Sequence, residues 1–276
     1  SPDGMVFDEM PYFEEGLRLY DLDEVLAGGK SNEQPKDKIR LIHDALIVVI
    51  RDYFRKLSFK KAILGLSGGI DSAVTAVLAA RALGQDNVRV LLLPSQFSSD
   101  HSVNDARQLA VNLGMQYDIL PIQPVFEAFE TALKAQFAGM PFDVTEENIQ
   151  ARVRGALLMA MSNKFGHILL NTTNKSEMAV VYGTLYGDLC GGISVLGDVY
   201  KTEVYALAEY LNRDGEIIPR STIEKPPSAE LRPNQKDSDS LPEYDVLAKI
   251  LYQYIGCRTA PRPDACRARR SPRSTR

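Results

Sequence analysis

The stretch Ser67-Gly68-Gly69-Ile70-Asp71-Ser72 combines two glycines, two hydroxyls and a carboxylate. It follows the apolar run 62–66 and precedes the helical run 73–83, which stops at Gly84. A strand, a glycine turn and a helix N-terminus together form an anion site. Glycine lets the backbone approach closely, and the first N–H groups of the helix have no acceptor of their own. A phosphate group suits such a site. The stretch is not a Walker A loop, because no lysine follows Gly69 and the spacing before Gly-Lys-Ser/Thr is missing. Asp71 would repel phosphates unless a cation stood between them, so it reads as a Mg²⁺ ligand. An ordinary strand-to-helix turn uses the same residue types, and Ser-Gly-Gly alone does not separate the two readings.

Four more stretches carry residues able to do chemistry. Glu147-Asn-Ile-Gln-Ala-Arg-Val-Arg154 puts Asn148, Arg152 and roughly Gly155 on one helical face, where arginine suits a phosphate or carboxylate. A solvated charged face has the same pattern. Asn171-Thr-Thr-Asn-Lys-Ser-Glu177 crowds hydroxyls, amides and a carboxylate at a strand end. It reads either as a nucleotide contact from Thr172 with a metal or substrate contact from Glu177, or as a capped turn into a helix. The glycine-rich segment 182–202 offers Asp188 and Lys201 to polar substrate groups. Lys201 opens a helix and so opposes the helix dipole, a local misfit that points to a task such as neutralising phosphate. Ile223-Glu-Lys-Pro-Pro-Ser-Ala-Glu-Leu231 is a proline-stiffened loop with Ser228 as a donor.

The elements that must position these residues alternate. Apolar runs predict buried strands over 62–66 and 88–94, a third, short strand over 117–120 and a fourth over 167–171. Three-and-four spacing predicts helices from Lys36 to the strand before the glycine loop, then over 73–83, 102–113, 124–138, 145–163 and 204–211, with Thr145 as an N-cap. Alternating strands and helices mean an α/β fold: a doubly wound parallel sheet with flanking helices, Rossmann-like, its ligands outside the carboxyl ends of the strands. Ser67, Pro94-Ser95 and Asn171-Thr172 lie at such ends.

Composition sets bounds. The 276 residues are 45% hydrophobic and 25% charged, a soluble globular profile. The net charge of −4 implies no general affinity for nucleic acid. No apolar run approaches the ~20 residues of a membrane span. Cys190, Cys257 and Cys266 form neither a metal-ligand spacing nor a disulfide framework, which fits a reducing, cytoplasmic location. His43, His101 and His167 are scattered and receive no catalytic role.

The full Ser-Gly-Gly-Ile-Asp-Ser string resembles the pyrophosphate-binding loop of the N-type ATP pyrophosphatases, enzymes of the adenine nucleotide alpha hydrolase-like fold that split ATP between its α and β phosphates. It is followed in order by Glu-Asn-Ile-Gln-Ala-Arg, Asn-Lys-Ser-Glu, Thr-Leu-Tyr-Gly-Asp, Lys-Thr-Glu-Val-Tyr and Pro-Ser-Ala-Glu-Leu. Together these are similar to the synthetase half of the glutamine-dependent NAD synthetases, from about Lys36 to about Tyr254. The resemblance implies ATP-dependent amidation of deamido-NAD through an acyl-adenylate, releasing AMP and pyrophosphate. It assigns Gly65, Leu66, Ser67, Gly68, Gly69, Ile70, Asp71, Ser72, Thr172, Lys201 and Ser228 to ATP, and Asp71 and Glu177 to Mg²⁺. Asn148, Arg152, Glu177 and Asp188 go to deamido-NAD, and Asp71 and Lys201 are the residues expected to act in the chemistry. Leu185 stands where the ammonia-dependent branch has a lysine, which fits the glutamine-dependent branch. The resemblance further implies a homodimer or higher homo-oligomer, joined along the helix that carries Ile149, Val153, Ala156, Leu157, Ala160 and Met161, with ammonia delivered by a glutaminase domain in the full-length protein.

Three regions follow. Residues 1–35 are acidic and resemble the end of the nitrilase-like glutaminase domain plus a linker, residues 36–255 are the synthetase domain, and residues 256–276 form an Arg/Pro-rich tail without apolar period that is expected not to pack. The family's Lys-Arg-Arg-Gln-like basic motif is missing from that tail, and an out-of-frame or truncated C-terminus is expected. Two rival readings are a GMP synthetase-like amidotransferase and an inactive nucleotide-binding fragment.

Overall fold

The computed structural model describes residues 1–28 and 37–258. Residues 29–36, which hold the end of the expected linker, and the tail from residue 259 lie outside the described residues. Residues 1–28 are mostly exposed, with Leu17 and Leu19 open to solvent, and contain one short helix, α1 (Leu22–Ala27). An Arg18–Asp8 ion pair ties part of this segment together.

The main body begins at α2 (Lys38–Lys56), where the Asp37 carboxylate accepts from the N–H groups of Ile39 and Arg40 at 3.0 and 3.2 Å. Its buried stripe, Ile47, Ile50 and Phe54, has the three-and-four spacing of a one-sided helix. In chain order there follow β1 (Ala62–Gly65), α3 (Ile70–Leu83), β2 (Val88–Leu92), α4 (Asp100–Asn112), β3 (Gln116–Ile119), α5 (Gln123–Leu133), α6 (Val144–Phe165) and β4 (Ile168–Asn171). Then come α7 (Lys175–Ala179), β5 (Ile193–Ser194), α8 (Lys201–Leu211), α9 (Arg220–Glu224) and α10 (Tyr244–Leu251), the last running into a π-helical turn, Tyr252–Gly256.

The five strands form one parallel sheet in the order β3-β2-β1-β4-β5, with Ala62 in register with Val88 and with Ile168. Successive side chains on a strand point to opposite faces, and here both faces are covered. Ala62, Leu64, Val88, Val90 and Leu92 enter one core, which they share with α2, α3, α4 and α8. Ile63, Leu91, Leu93 and Leu169 enter the other, packed by α5 and α6. That two-sided burial explains why the strands read as continuous apolar runs. α3 is buried almost all round, from Ile70 through Ala79, because it lies against the sheet with α2 and α8 over it.

Four details differ from the sequence expectation. The cap of α6 is Asp143, whose carboxylate accepts from Thr145 N–H at 2.7 Å while Glu146 accepts from Asp143 N–H at 2.9 Å, so the helix starts two residues earlier than a Thr145 cap would place it. α5 ends at Leu133 rather than near Ala138. β5 is only two residues long, too short to leave a period. On α6, Ile149 and Val153 are buried in the chain's own second core, with Leu157 and Met161 packed beside them, and Ala156, Met159 and Ala160 face outward.

Candidate functional site

The strand order reverses at β1. The chain moves from β1 to β2 and β3 on one side and returns to β4 and β5 on the other, so the crevice lies at the carboxyl ends of β1 and β4. A cavity of about 300 Å³ opens there, within the size range of small-molecule sites. Gly65 to Ser67, Gly69 to Ser72, Thr172, Glu177, Asp188, Lys201 and Ser228 all line it.

The loop after β1 is held by its own hydroxyls. Ser67 Oγ accepts from Gly69 N–H at 3.1 Å, and Ser72 Oγ lies 3.1 Å from Ser67 Oγ and donates to Gly69 C=O at 2.9 Å. The backbone then turns into α3, whose first N–H groups face outward without intrahelical acceptors. Gly68 is obligatory here. Its φ is +81°, and a Cβ at this position would stand 2.1 Å from the carbonyl oxygen of Ser102. The glycine loop is thus pressed against the first turn of α4.

Asp71, in the first turn of α3, meets residues far away in sequence. Lys201 Nζ lies 2.5 Å from Asp71 Oδ2 and 3.1 Å from Glu177 Oε1. Asn174 Nδ2 donates to the other oxygen, Asp71 Oδ1, at 2.8 Å. Lys201 is 2% exposed; burial works against its charge, but Asp71 and Glu177 outweigh that and hold its pKa above the ordinary lysine value. Burial and the Asp71 charge push the Glu177 carboxyl up to about 7. Ser176 Oγ accepts from Lys201 N–H at 3.0 Å and fixes where α8 begins. The turn 171–177 has both characters its sequence left open. Asn174 and Glu177 form a capping box for α7, and the same two side chains hold Asp71 and Lys201.

A further polar layer joins this group to the C-terminal segment. The buried Asp237 carboxylate accepts from Tyr182 at 3.2 Å and Tyr244 at 2.8 Å, and the Tyr244 ring lies 5.1 Å from Lys201 Nζ. Burial raises the pKa of both tyrosines, so they remain donors. Opposite, the loop 225–231 is fastened from two sides. Glu230 accepts from Ser102 Oγ at 2.6 Å and Ser99 Oγ at 2.9 Å on α4, and Gln150 Nε2 on α6 donates to Leu231 C=O at 3.0 Å. These ties hold Ser228 in the wall.

Asp188 is open to the cavity, yet the enclosing walls push its carboxyl above the ordinary range. Asn148 and Arg152 do not line the cavity. Asn148 Oδ1 accepts from Thr184 Oγ1 at 2.7 Å, and the exposed Arg152 donates to Leu185 C=O at 3.3 Å, so both brace the 184–187 turn. Gly155 serves the same contact: its Cβ would meet the Tyr186 carbonyl oxygen at 2.9 Å. Sequence reasoning missed Asn174, Asp237, Glu230, Gln150 and Arg154. Only Asn174 carried a signal, the Asn-Lys-Ser-Glu capping box.

Glu177 supports a pH prediction. Its folded pKa lies above the unfolded one near 4.5. Its contribution to stability is therefore fullest below that value and is lost as pH rises toward about 7. Glu177→Gln removes this loss. The Tm of the variant relative to wild type should climb by roughly 5 °C between pH 4.5 and 7 and then stay level. A Tm difference independent of pH across that window would refute the assignment.

Comparison with known proteins agrees with this geometry. Residues 42–270 match the NAD synthase family model. The chain is 49% identical over 261 residues to a glutamine-dependent NAD(+) synthetase of Synechocystis, covering 94% of this chain and 47% of the relative. It is 54% identical over 213 residues to that of Thermotoga maritima, covering 76% and 37%. The chain thus spans about half or less of the length of the curated relatives it matches. Among solved structures, the glutamine-dependent NAD+ synthetase of Acinetobacter baumannii in complex with ADP superposes with a TM-score of 0.68 at 41% identity, covering 87% of this chain and 43% of that one. An NMN synthetase of Francisella tularensis superposes with a TM-score of 0.71 at 30% identity, covering 78% and 86%. With a parallel sheet that reverses at β1, a glycine loop at the switch point and a family match over most of its length, this chain belongs to the NAD synthase family.

Proposed function

We propose that the chain is the synthetase half of a glutamine-dependent NAD synthetase and converts deamido-NAD to NAD at the expense of ATP. The observation that carries the reading is the Lys201 ammonium set between Asp71 and Glu177 beside the glycine loop. In this reading the N–H groups of residues 68–72 and the Lys201 charge bind the ATP phosphates, with Thr172 and Ser228 on the nucleotide and Glu177 and Asp188 toward the dinucleotide. The substrate carboxylate attacks the α-phosphate, pyrophosphate leaves, and ammonia then displaces AMP from the acyl-adenylate. Alignment and preorganised charge supply the catalysis, and no protein nucleophile is needed.

Asp71 and Glu177 would hold Mg²⁺. Their oxygens already converge on one cationic nitrogen, and a pair of carboxylates without a full protein cage suits an ion that keeps waters and substrate phosphates. Among the described residues no larger cluster of His, Cys, Asp and Glu gathers. When bound, Mg²⁺ would neutralise phosphate charge, and the Asn174 bond to Asp71 Oδ1 would fix the carboxylate that holds it.

An assay with ATP, Mg²⁺, ammonium and deamido-NAD, following AMP and NAD, tests the proposal. NAD formation is expected. AMP formed only with xanthosine monophosphate would support a GMP synthetase-like enzyme, and ATP binding without turnover an inactive fragment. The mononucleotide counterpart of deamido-NAD should be the poorer substrate. Glutamine alone should support no synthesis by this chain, because the glutaminase set implied for the full-length family members is not among its residues; glutamine-driven turnover by the purified chain would contradict this.

The proposal extends to location and assembly. No helix among the described residues is long and apolar enough to cross a membrane, and a cytoplasmic setting suits the unpaired Cys190 and Cys257. α6 carries an outward row, Ala156, Met159 and Ala160, and an exposed Val144 at its start (61%), and α5, which packs on α6, exposes Phe129 at 46%. We assign this face to a homodimer contact. Leu157 packs on the chain's own core and is a poor probe. Met159→Glu should convert the dimer to monomer in sedimentation while leaving ATP affinity within about twofold, as a change at an exposed residue that does not line the cavity should. A wild-type chain that stays monomeric at high concentration would overturn the assignment.

A further inference from the structure

Three cations line the cavity, and two of them are satisfied from within the chain. Lys201 has Asp71 and Glu177, and Lys225 Nζ has Ser102 Oγ at 2.9 Å and Asp105 at 3.9 Å. The third, Arg154, is half-buried and donates through Nε to the Leu93 carbonyl oxygen at 3.0 Å. Among the described residues no carboxylate lies within ion-pair distance of it and no acceptor takes its terminal nitrogens. Glu230 and Asp188 act on it only from farther away, and burial pulls its pKa down to about 10.

An enclosed guanidinium without a counter-ion is costly, and here the cost is concentrated on one wall of a substrate-sized cavity. Its anchorage leaves the fork free. The bond to Leu93 uses Nε, so the two terminal amino groups remain available for a planar, two-pronged contact, the geometry that suits phosphate or carboxylate oxygens. Its placement is also directional. Arg154 comes from α6, on the face of the sheet that holds Ile63 and Leu91, whereas Lys201 comes from α8, on the other face. The two cations therefore approach the switch-point crevice from opposite sides. Leu93 follows β2 directly, and β2 is bonded to the start of the phosphate loop, since Leu66 N–H donates to Leu91 C=O at 2.8 Å.

We propose that Arg154 is a substrate-binding residue whose guanidinium receives an oxyanion of a bound substrate, either a phosphate of ATP or an anionic group of the dinucleotide. The inference rests on the function proposed above and adds to it a contact that the sequence motifs leave unassigned.

Calorimetric titration of the whole chain, wild type against Arg154→Met and Arg154→Lys, tests it with four ligands: ATP, AMP, adenosine and deamido-NAD. Arg154→Met should lose about tenfold or more in affinity for ATP or for deamido-NAD, the worth of one charge-assisted contact, while adenosine binds as to wild type. Loss on ATP identifies the nucleotide phosphate as the partner; loss on deamido-NAD with ATP unchanged identifies the dinucleotide. Arg154→Lys should recover part of the loss. Without ligand, Arg154→Met should melt at or above the wild-type temperature, because an unpaired charge has been removed; a purely structural arginine predicts a lower melting point. Equal affinity of wild type and both variants for ATP and deamido-NAD would overturn the assignment of Arg154 alone. A wild-type chain that binds neither ligand would overturn the proposed function along with it. If Arg154→Met fails to fold, Arg154→Lys decides: wild-type affinity for both ligands in that variant counts against the two-pronged contact.

Discussion

Lys201→Met is expected to abolish measurable NAD formation, with turnover down by at least about a thousandfold. Two effects combine. In the proposed reaction the ammonium is the fixed positive charge beside the transferring phosphate, and methionine replaces its volume without its charge. The substitution also leaves Asp71 and Glu177 facing each other without the cation that lies 2.5 and 3.1 Å from them. Removing one partner of a buried ion pair costs about 3–5 kcal/mol, but this site has an outlet. Glu177 is already pushed up to about 7 by burial and by Asp71, so in the variant it should take a proton and limit the loss. Thermal melts at pH 6 and pH 8 check this: the variant should be the more stable at pH 6, with Glu177 protonated, and should lose stability toward pH 8. Retained NAD synthesis at saturating Mg²⁺ would remove Lys201 from the mechanism, whatever the melts showed. Arginine should not rescue, because its fork cannot occupy the position of a single nitrogen between two carboxylates.

Gly68→Ala is expected to destroy ATP binding through the backbone alone. An alanine Cβ would stand 2.1 Å from the Ser102 carbonyl oxygen, and the atom it meets is backbone in the first turn of α4, which cannot swing away as a side chain would. The φ of +81° adds strain of about 1–3 kcal/mol for any residue with a Cβ. Relief requires the loop to lift off α4 or the peptide to rotate, and either displaces the N–H groups that would face the phosphates. ATP affinity should fall by at least about a hundredfold, with a loss of stability of at least about 2 kcal/mol from the strain and the clash together. Gly69→Ala makes the control. Its φ is −80°, and its Cβ would meet only the Ser67 Oγ side-chain atom at 3.2 Å, a contact relieved by a shift of a few tenths of an ångström. ATP binding by Gly68→Ala at wild-type affinity would mean the loop does not use its backbone to hold phosphate.

The ordinary rules of sequence were enough for the frame. Continuous apolar runs between helical periods marked β1, β2 and β4, because a strand buried on both faces has no polar side to show. The Ser-Gly-Gly-Ile-Asp-Ser stretch located one wall of the crevice, because a glycine turn between a strand and a helix N-terminus falls at the carboxyl end of the sheet. The misfit of a lysine at the start of α8 marked Lys201 before any partner was known, since a local conflict with the helix dipole needs a tertiary reason. What remained illegible was which distant residues meet. Asp71 pairs with Lys201 across 130 positions and with Asn174 across 103. Glu230 reaches Ser102 across 128. Periodicity records which face of an element is buried, but the partners across the crevice are set by strand order and by the approach of helices to the two faces of the sheet. For the same reason Asn148 and Arg152, on one helical face, brace the 184–187 turn outside the cavity, while Arg154, two residues on and so on nearly the opposite side of that helix, lines it with an unpaired guanidinium.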